Sequence, residues 1–138
     1  MYTASRILIV AAALLGMVGG ALRAEVSDTR ALIENATKAI GSGNADQLAQ
    51  HFSPTVEIDL LGEENFYSKP QASLLLKNFF AKNHPAEFSI AHEGQKEGTA
   101  FVIGSLRTSG DTFRVSIFIK TESSRSYIHQ LRVERSGR

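Results

Sequence analysis

The sequence predicts an α+β domain in which three N-terminal helices pack on one face of a curled antiparallel sheet. Apolar residues recur at helical intervals in the first half of the chain and at every second position in the second half. Short polar turns separate the segments of the second half, so those strands are expected to pair as hairpins. Helices followed by a run of hairpin strands are the order typical of α+β proteins.

The first two helices are predicted from apolar spacing and from residues that begin or end helices. Asp28–Ile40 is predicted as a helix that ends at Gly41–Gly43, because glycine is common just past a helix C-terminus. Asn44 caps a second helix, which continues through Phe52 and is closed by Pro54. The apolar stripes of the two helices comprise Leu32, Ile33, Ala36, Ala39, Ile40, Ala45, Leu48, Ala49 and Phe52.

A short strand and a third helix come next. Thr55–Leu60 alternates with period two and predicts the strand, and Gly62–Asn65 is predicted as the turn after it. Ser68 caps the third helix, with Gln71 as its partner in a capping box. The helix ends at Asn83–Pro85, because the residue before a proline avoids the helical conformation. Its buried stripe comprises Ala72, Leu75, Leu76, Phe79 and Phe80.

The remainder of the chain is predicted as four strands. The third of these has one fully apolar face, because Phe113, Val115, Ile117 and Ile119 occupy alternate positions. The four strands are Ala86–His92, Thr99–Thr108, Thr112–Thr121 and Ser126–Glu134.

The N-terminus has the layout of a secretory signal peptide. A short segment with Arg6 precedes the apolar run Ile7–Val18, and small residues follow. The run is about a dozen residues, whereas a spanning helix needs roughly 20. Cleavage after Ala24 is favoured over cleavage after Ala21, because the polar chain begins at Glu25. We therefore expect an exported protein, periplasmic or secreted, with a signal peptide at 1–24, a single domain at 25–138 and no stable membrane anchor after cleavage.

Composition excludes several classes of function. The sequence holds 15 basic and 14 acidic residues, and the predicted signal peptide contains two of the basic ones, which leaves the mature chain near neutrality. A near-neutral domain has no electrostatic basis for binding nucleic acid or an anionic membrane. Cysteine is absent, so disulfides, thiolate catalysis, thiol-ligated metals and a lipoprotein anchor are excluded. The fold must therefore depend on its own apolar core.

One stretch, Leu48–Asn83, has the order of a helix, a strand with a Thr-Val-Glu start, a variable loop and a helix that ends in an aromatic pair. Together with the closing strand Tyr127–Val133, it resembles the nuclear transport factor 2-like superfamily. More narrowly, the mature chain is similar to a group of small exported bacterial proteins of unknown function, through Tyr67–Lys69, Phe79–Lys82 and Gln130–Arg132. The resemblance implies a cone-shaped, cystatin-like fold, which hosts enzymes, binding proteins and assembly modules alike.

A carboxylate on the strand after the second helix is the candidate catalytic group. For members similar to ketosteroid isomerase, the resemblance implies a general base that directly follows the Val-Glu pair, inside an apolar cone. Here Ile58 follows that pair, and Asp59 comes one residue later. Unless a bulge shifts the register, Ile58 is expected to point into the cone and Asp59 away from it. An acid–base enzyme built on Asp59 would use Tyr67 or a histidine such as His51.

The histidines predict no metal site. They lack the spacings of metal-binding motifs and are expected at helix ends and strand surfaces; they are His51, His84, His92 and His129. A site made of His51, His92 and Asp59 would require the fold to bring distant residues together. Neither a metal nor another cofactor is predicted.

Aromatic side chains suggest a second kind of site. An open cone would form an apolar pocket, with Arg132 as the anchor for an acidic ligand. The alternative is that the same aromatic residues fill the core. The pocket candidates are Phe66, Tyr67, Phe79, Phe80, Phe118, Tyr127 and Arg132.

Three functional hypotheses follow. The first is a non-catalytic exported domain that binds a small apolar or amphipathic ligand, or a protein partner. The second, the alternative to binding, is an acid–base enzyme, isomerase-like or dehydratase-like, that uses Asp59. The third is an assembly module, for which the resemblance implies a homodimer formed through the outer face of the sheet.

Overall fold

The computed structural model describes residues 28–136. The predicted signal peptide and its cleavage position lie outside the described residues. Helix α1 occupies residues 28–42 of the described chain, and it is followed by α2 (Ala45–Ala49), β1 (Phe52–Leu60), β2 (Glu63–Ser68), α3 (Lys69–Lys82), β3 (Pro85–Lys96), β4 (Thr99–Thr108), β5 (Thr112–Glu122) and β6 (Arg125–Arg135).

The strands form a single six-stranded sheet in the order β2-β1-β6-β5-β4-β3. Helices packed on one face of a sheet built mainly of hairpin strands confirm the predicted α+β class. One pairing differs from the prediction of a fully antiparallel sheet, because β1 and β6 are parallel. No short turn joins these two strands. Their relative direction is therefore set by tertiary packing rather than by hairpin geometry.

The predicted turn at Gly62–Asn65 is wrong in extent. The turn consists of Leu61 and Gly62, which both have positive φ (56° and 91°), as a two-residue hairpin turn requires. Glu63–Ser68 forms strand β2, paired along its length with β1. Almost all of β2 is exposed, so it lacks the apolar alternation from which strands are predicted.

The predicted end of the second helix is also wrong. Helix α2 stops at Ala49, and Phe52 is the first residue of β1 rather than the last of the helix. The backbone N–H of Ile128 donates a 2.7 Å hydrogen bond to the carbonyl of His51. Pairing with β6 thus begins strand β1 at Phe52, two residues before Pro54.

The predicted helix caps are confirmed. Asn44 Oδ1 accepts a hydrogen bond from the backbone N–H of Gln47 at 3.0 Å. At α3, the Ser68 hydroxyl accepts from the backbone N–H of Gln71, and the Gln71 side chain accepts from the backbone N–H of Ser68. Both helices therefore begin where the sequence predicts.

One face of the sheet packs against the helices, and we call it the core face. On β5 the core face carries Phe113, Val115, Ile117 and Ile119, as the alternation predicts, and each of these side chains is buried. The opposite side of the sheet, which the described helices do not cover, is called the outer face. None of the helices between residues 28 and 136 is long and apolar enough to cross a membrane.

A cluster of hydroxyl groups joins α1 to the β5–β6 hairpin. The Ser126 hydroxyl lies 2.8 Å from that of Thr29 and 2.9 Å from that of Thr121. Asp28 accepts a hydrogen bond from the backbone N–H of Ser126. Thr29 is buried, so these contacts satisfy polar groups inside the fold and fix α1 on the core face.

Candidate functional site

Asp59 lies on the outer face and is held by two neighbours. Its Oδ1 accepts a 3.0 Å hydrogen bond from the backbone N–H of Gly62, and its Oδ2 is 3.4 Å from Nε of Arg132. Ile58, by contrast, is 0% exposed and points into the core. The carboxylate therefore sits beside a hairpin turn and an arginine, outside the apolar interior that would make it a strong base.

The proposed partners of Asp59 lie elsewhere. Tyr67 is paired with Val56 and packs against the core, on the other side of the sheet from Asp59. His51 precedes β1, whereas Asp59 is close to the far end of that strand. Burial lowers the pKa of His51, and the charge of Lys69 lowers it further. The structure thus does not bring the three catalytic candidates together.

The pocket candidates fall into two groups on opposite faces of the sheet. Phe79 and Phe80 are buried, with ring centroids 5.8 Å apart, and Phe79 lies 5.1 Å from Phe113 in edge-to-face contact. The second group, Phe66, Phe118, Tyr127 and Arg132, occupies outer-face positions. Successive strand residues point to opposite faces of the sheet. The sheet therefore separates residues that the pocket hypothesis placed together.

A row of residues crosses the outer face at the level of Phe66. Phe66 is 66% exposed and Phe101 is 38% exposed; Phe101 is directly opposite Phe118 on the neighbouring strand. In strand order the row is Phe66, Glu57, Gln130, Phe118, Phe101 and Gly94. Sequence reasoning missed Phe101, although its position in the alternating strand β4 would have placed it opposite the core.

Acidic side chains cluster at the β1–β2 end of this face. Asp59 is directly opposite Glu64, and Glu57 shares a hydrogen bond with Glu64. The hydrogen bond and charge of Glu57 are the main causes that raise the pKa of the Glu64 carboxyl, and Arg132 opposes the rise. Among residues 28–136, Nε of Arg132 is buried without a hydrogen bond, despite its proximity to Asp59. Arg132 thus lies beside the carboxylates of Asp59 and Glu134, and its charge also acts on Glu64.

Replacing Glu57 should restore the ordinary titration of Glu64. In Glu57→Gln, we expect the pKa of Glu64 to fall toward its ordinary value of 4.5, because a neutral amide does not repel a carboxylate. In the wild type the folded chain binds the Glu64 proton more tightly than the unfolded chain does. The free energy of unfolding should therefore drop as the pH rises from about 4.5 through the raised pKa of Glu64.

Carboxyl-carbon chemical shifts, recorded by NMR across the acidic pH range, would measure this change. Glu63→Gln is the matched control, because Glu63 is adjacent in sequence but pairs with Leu60. An unchanged titration of Glu64 in Glu57→Gln would contradict the assigned cause.

The remaining histidines take no part in this cluster. Burial lowers the pKa of His129, and Lys120 adds to the effect. His84 and His92 are exposed. Within the part of the chain that the structure describes, no three histidine, aspartate or glutamate side chains are placed to hold a metal ion.

Comparison with known proteins gives a family and a fold. A family model described as a domain of unknown function (DUF4783) matches residues 33–134. A DUF4783 protein from Bacteroides uniformis superimposes with a TM-score of 0.73 at 26% identity, over 76% of this chain and 97% of that chain. No curated protein matches this chain.

Two more distant structures share the fold alone. A domain of unknown function with a cystatin-like fold, from Nostoc punctiforme, has 15% identity and a TM-score of 0.65, covering 83% of this chain and 79% of its own. An NTF-2 like protein of unknown function from Silicibacter pomeroyi has 15% identity and a TM-score of 0.60, covering 80% of this chain and 95% of its own. The predicted superfamily fold is confirmed.

Proposed function

The chain belongs to the DUF4783 family, whose description assigns no function, and from that premise we propose that it is an exported, non-catalytic domain that binds a protein partner through its outer face. The observation that carries the proposal is the division of the aromatic residues. Those on the core face are packed against one another, whereas Phe66 and Phe101 on the outer face are exposed to solvent.

The packed interior supports a protein partner over a small apolar ligand. The residues that a ligand in the cone would contact, Phe79, Phe80 and Phe113, are 5%, 6% and 0% exposed. Edge-to-face ring contacts at these distances are favourable in themselves. A ligand would have to displace these contacts in order to enter.

The position of Asp59 supports a non-catalytic role. A general base gains strength from an apolar surrounding and must reach the proton it removes. Asp59 accepts a backbone hydrogen bond at a hairpin turn and lies beside Arg132, so it has a polar setting on the outer face and lies outside the apolar cone that such a base requires.

A pair of matched variants tests the proposal. Phe66 on the outer face and Leu74 on the helical layer are 66% and 60% exposed, so replacing either with serine should leave the fold intact. Chemical cross-linking in intact cells, followed by mass spectrometry, should recover fewer cross-linked chains for Phe66→Ser than for the wild type. Leu74→Ser should match the wild type.

The reverse pattern would count against the proposal. Equal recovery for Phe66→Ser and the wild type would remove the outer face from consideration. A rise in melting temperature of the purified protein with fatty acids or sterols would favour the small-ligand hypothesis instead.

A further inference from the structure

We infer that the free edge of β3 binds an extended segment of another protein, which pairs with His92–Lys96 as an added strand of the sheet. The segment carries an apolar side chain opposite Gly94 and an acidic side chain opposite Lys96. This site goes beyond the proposed function, because β3 and the strand that carries Phe66 lie at opposite edges of the sheet.

Strand β3 is the longest strand of the sheet and forms one of its edges. Within residues 28–136 it pairs with β4 and with no other strand. In an antiparallel pair, alternate residues direct both the backbone N–H and the carbonyl away from the partner strand. The edge therefore presents hydrogen-bonding groups to which another extended chain can pair. In strand addition these main-chain bonds supply affinity, and the side chains beside them supply specificity.

A bulge limits the part of the edge that can accept a strand. The register of β3 against β4 shifts between Ile90 and His92, and a bulge of this kind bends an edge strand and interrupts regular pairing. From His92 to Lys96, each residue has a partner on β4 in unbroken register. This stretch extends about 16 Å, which is close to the length of an ordinary strand.

Helix α1 forms one wall of a groove along this stretch. Glu93 and Gln95 are opposite buried residues of β4, so their side chains point to the helical side of the sheet. A cavity of about 270 Å³ lies between this side of β3 and α1, and it is lined by Arg30, Ile33, Glu93, Gly94 and Gln95. An added strand would direct alternate side chains toward this cavity. Because Arg30 and Glu93 bring opposite charges to its walls, an uncharged side chain fits it best.

An aromatic ring lies on the other side of the same edge. Gly94 is directly opposite Phe101, and a methyl group on Gly94 would overlap the Phe101 ring. The ring therefore extends from β4 over β3 toward the free edge, and it is 38% exposed. A side chain opposite Gly94 on an added strand would point to the same face and contact this ring. An apolar side chain is expected there, because contact with the ring removes apolar surface from water.

Lysine side chains lie at the end of this stretch. Lys96 on β3 and Lys120 on β5 are both directly opposite Thr99, which lies between them on β4. Both lysines are exposed, and neither forms an ion pair within 4.0 Å among the residues that the structure describes. An acidic side chain two positions from the apolar one would point to the same face and lie opposite Lys96. Complementary charge thus selects a partner in which one residue separates an apolar from an acidic residue.

Selection from a phage-displayed library of random short peptides would test this specificity. The peptides that bind the purified protein should share an apolar residue and an aspartate or glutamate with one residue between them. When a synthetic peptide of the selected sequence is added, the amide signals that shift in NMR spectra should be those of His92–Lys96, Phe101 and the start of α1.

Backbone methylation of the same peptide would distinguish strand pairing from side-chain binding. Methylation of a nitrogen that donates to β3 removes one hydrogen bond and obstructs the approach of the strand. It should raise the dissociation constant at least about tenfold. Methylation of the nitrogens between them should have a much smaller effect, because those groups point away from β3.

Charge reversal at Lys96 tests the acidic position. Lys96→Glu should weaken the peptide about fivefold, and a peptide with lysine in place of its acidic residue should regain the affinity. Lys82→Glu is the matched control, because Lys82 is an exposed lysine at the end of α3. It should bind like the wild type. Circular dichroism melting would establish that both variants are folded.

Several results would overturn strand addition at β3. These are a selection that yields no binding peptide, signal shifts that leave out β3, and equal effects of methylation at every peptide nitrogen. Shifts centred on Phe66 would overturn it as well, yet they would agree with the proposed function. The cross-linking comparison of Phe66→Ser decides the proposed function separately, because that substitution leaves the edge of β3 unchanged.

Discussion

Phe79→Ala should lower the free energy of unfolding by about 3–5 kcal/mol, whereas Phe66→Ala should change it by less than about 0.5 kcal/mol. Phe79 is 5% exposed and contacts the rings of Phe80 and Phe113. Truncation would remove these contacts and leave a cavity among buried side chains. Phe66 is 66% exposed, so little apolar surface returns to water when its ring is removed.

Urea unfolding followed by circular dichroism would measure both values. The two residues are a matched pair, because both are phenylalanines that the sequence suggests as pocket residues. A loss below about 1 kcal/mol for Phe79→Ala would contradict close packing of the interior. It would favour the open, ligand-binding cone instead.

Gly104→Ala should lower the free energy of unfolding by about 1–3 kcal/mol. Gly104 lies on β4 opposite Ile90, beside a register shift in β3. A methyl group there would overlap the Phe88 ring and lie 2.6 Å from the backbone carbonyl oxygen of Ser89. The ring could rotate away, but the carbonyl belongs to the paired strand. The two strands would therefore have to separate locally.

Gly110→Ala is the matched control for this prediction. Gly110 lies in the β4–β5 turn, with nothing within 4 Å of the added methyl group and without a positive φ. The substitution should be neutral or should stabilise by up to about 1 kcal/mol, since alanine reduces the freedom of the unfolded chain. Equal effects at Gly104 and Gly110 would show that the close approach of Phe88 and Ser89 does not restrict the site.

The helical layer was largely predictable because its signals are local. The caps at Asn44 and Ser68 use side chains that reach backbone groups three residues away. The stripes that include Leu32 and Leu76 are buried as predicted. Each of these features depends on a few consecutive residues.

The β1–β2 hairpin was not predictable in the same way. Strand β2 is exposed almost throughout, so no periodicity marks Glu63–Ser68. The sequence does not indicate the positive φ at Leu61 either, because leucine rarely adopts this conformation. The strand exists because its backbone pairs with β1, and β1 is held by its buried residues Val56 and Ile58.

The residues of the outer face likewise include features that the sequence predicts and features that it does not. Alternation along one strand places Phe118 opposite the core and Phe113 within it, and this much follows from the sequence. The juxtaposition of Asp59, Glu64 and Arg132 does not, because it joins three strands, one of them through a parallel pairing.

The sequence by itself determined the α+β class, the helix starts and the apolar face of each well-alternating strand, because these depend on short-range periodicity and capping. The tertiary structure alone decided the extra strand β2, the parallel β1–β6 pairing and the juxtaposition of Asp59, Glu64 and Arg132 on the outer face. Those features arise from the order in which strands pair, and residues far apart in the chain set that order through the core they share.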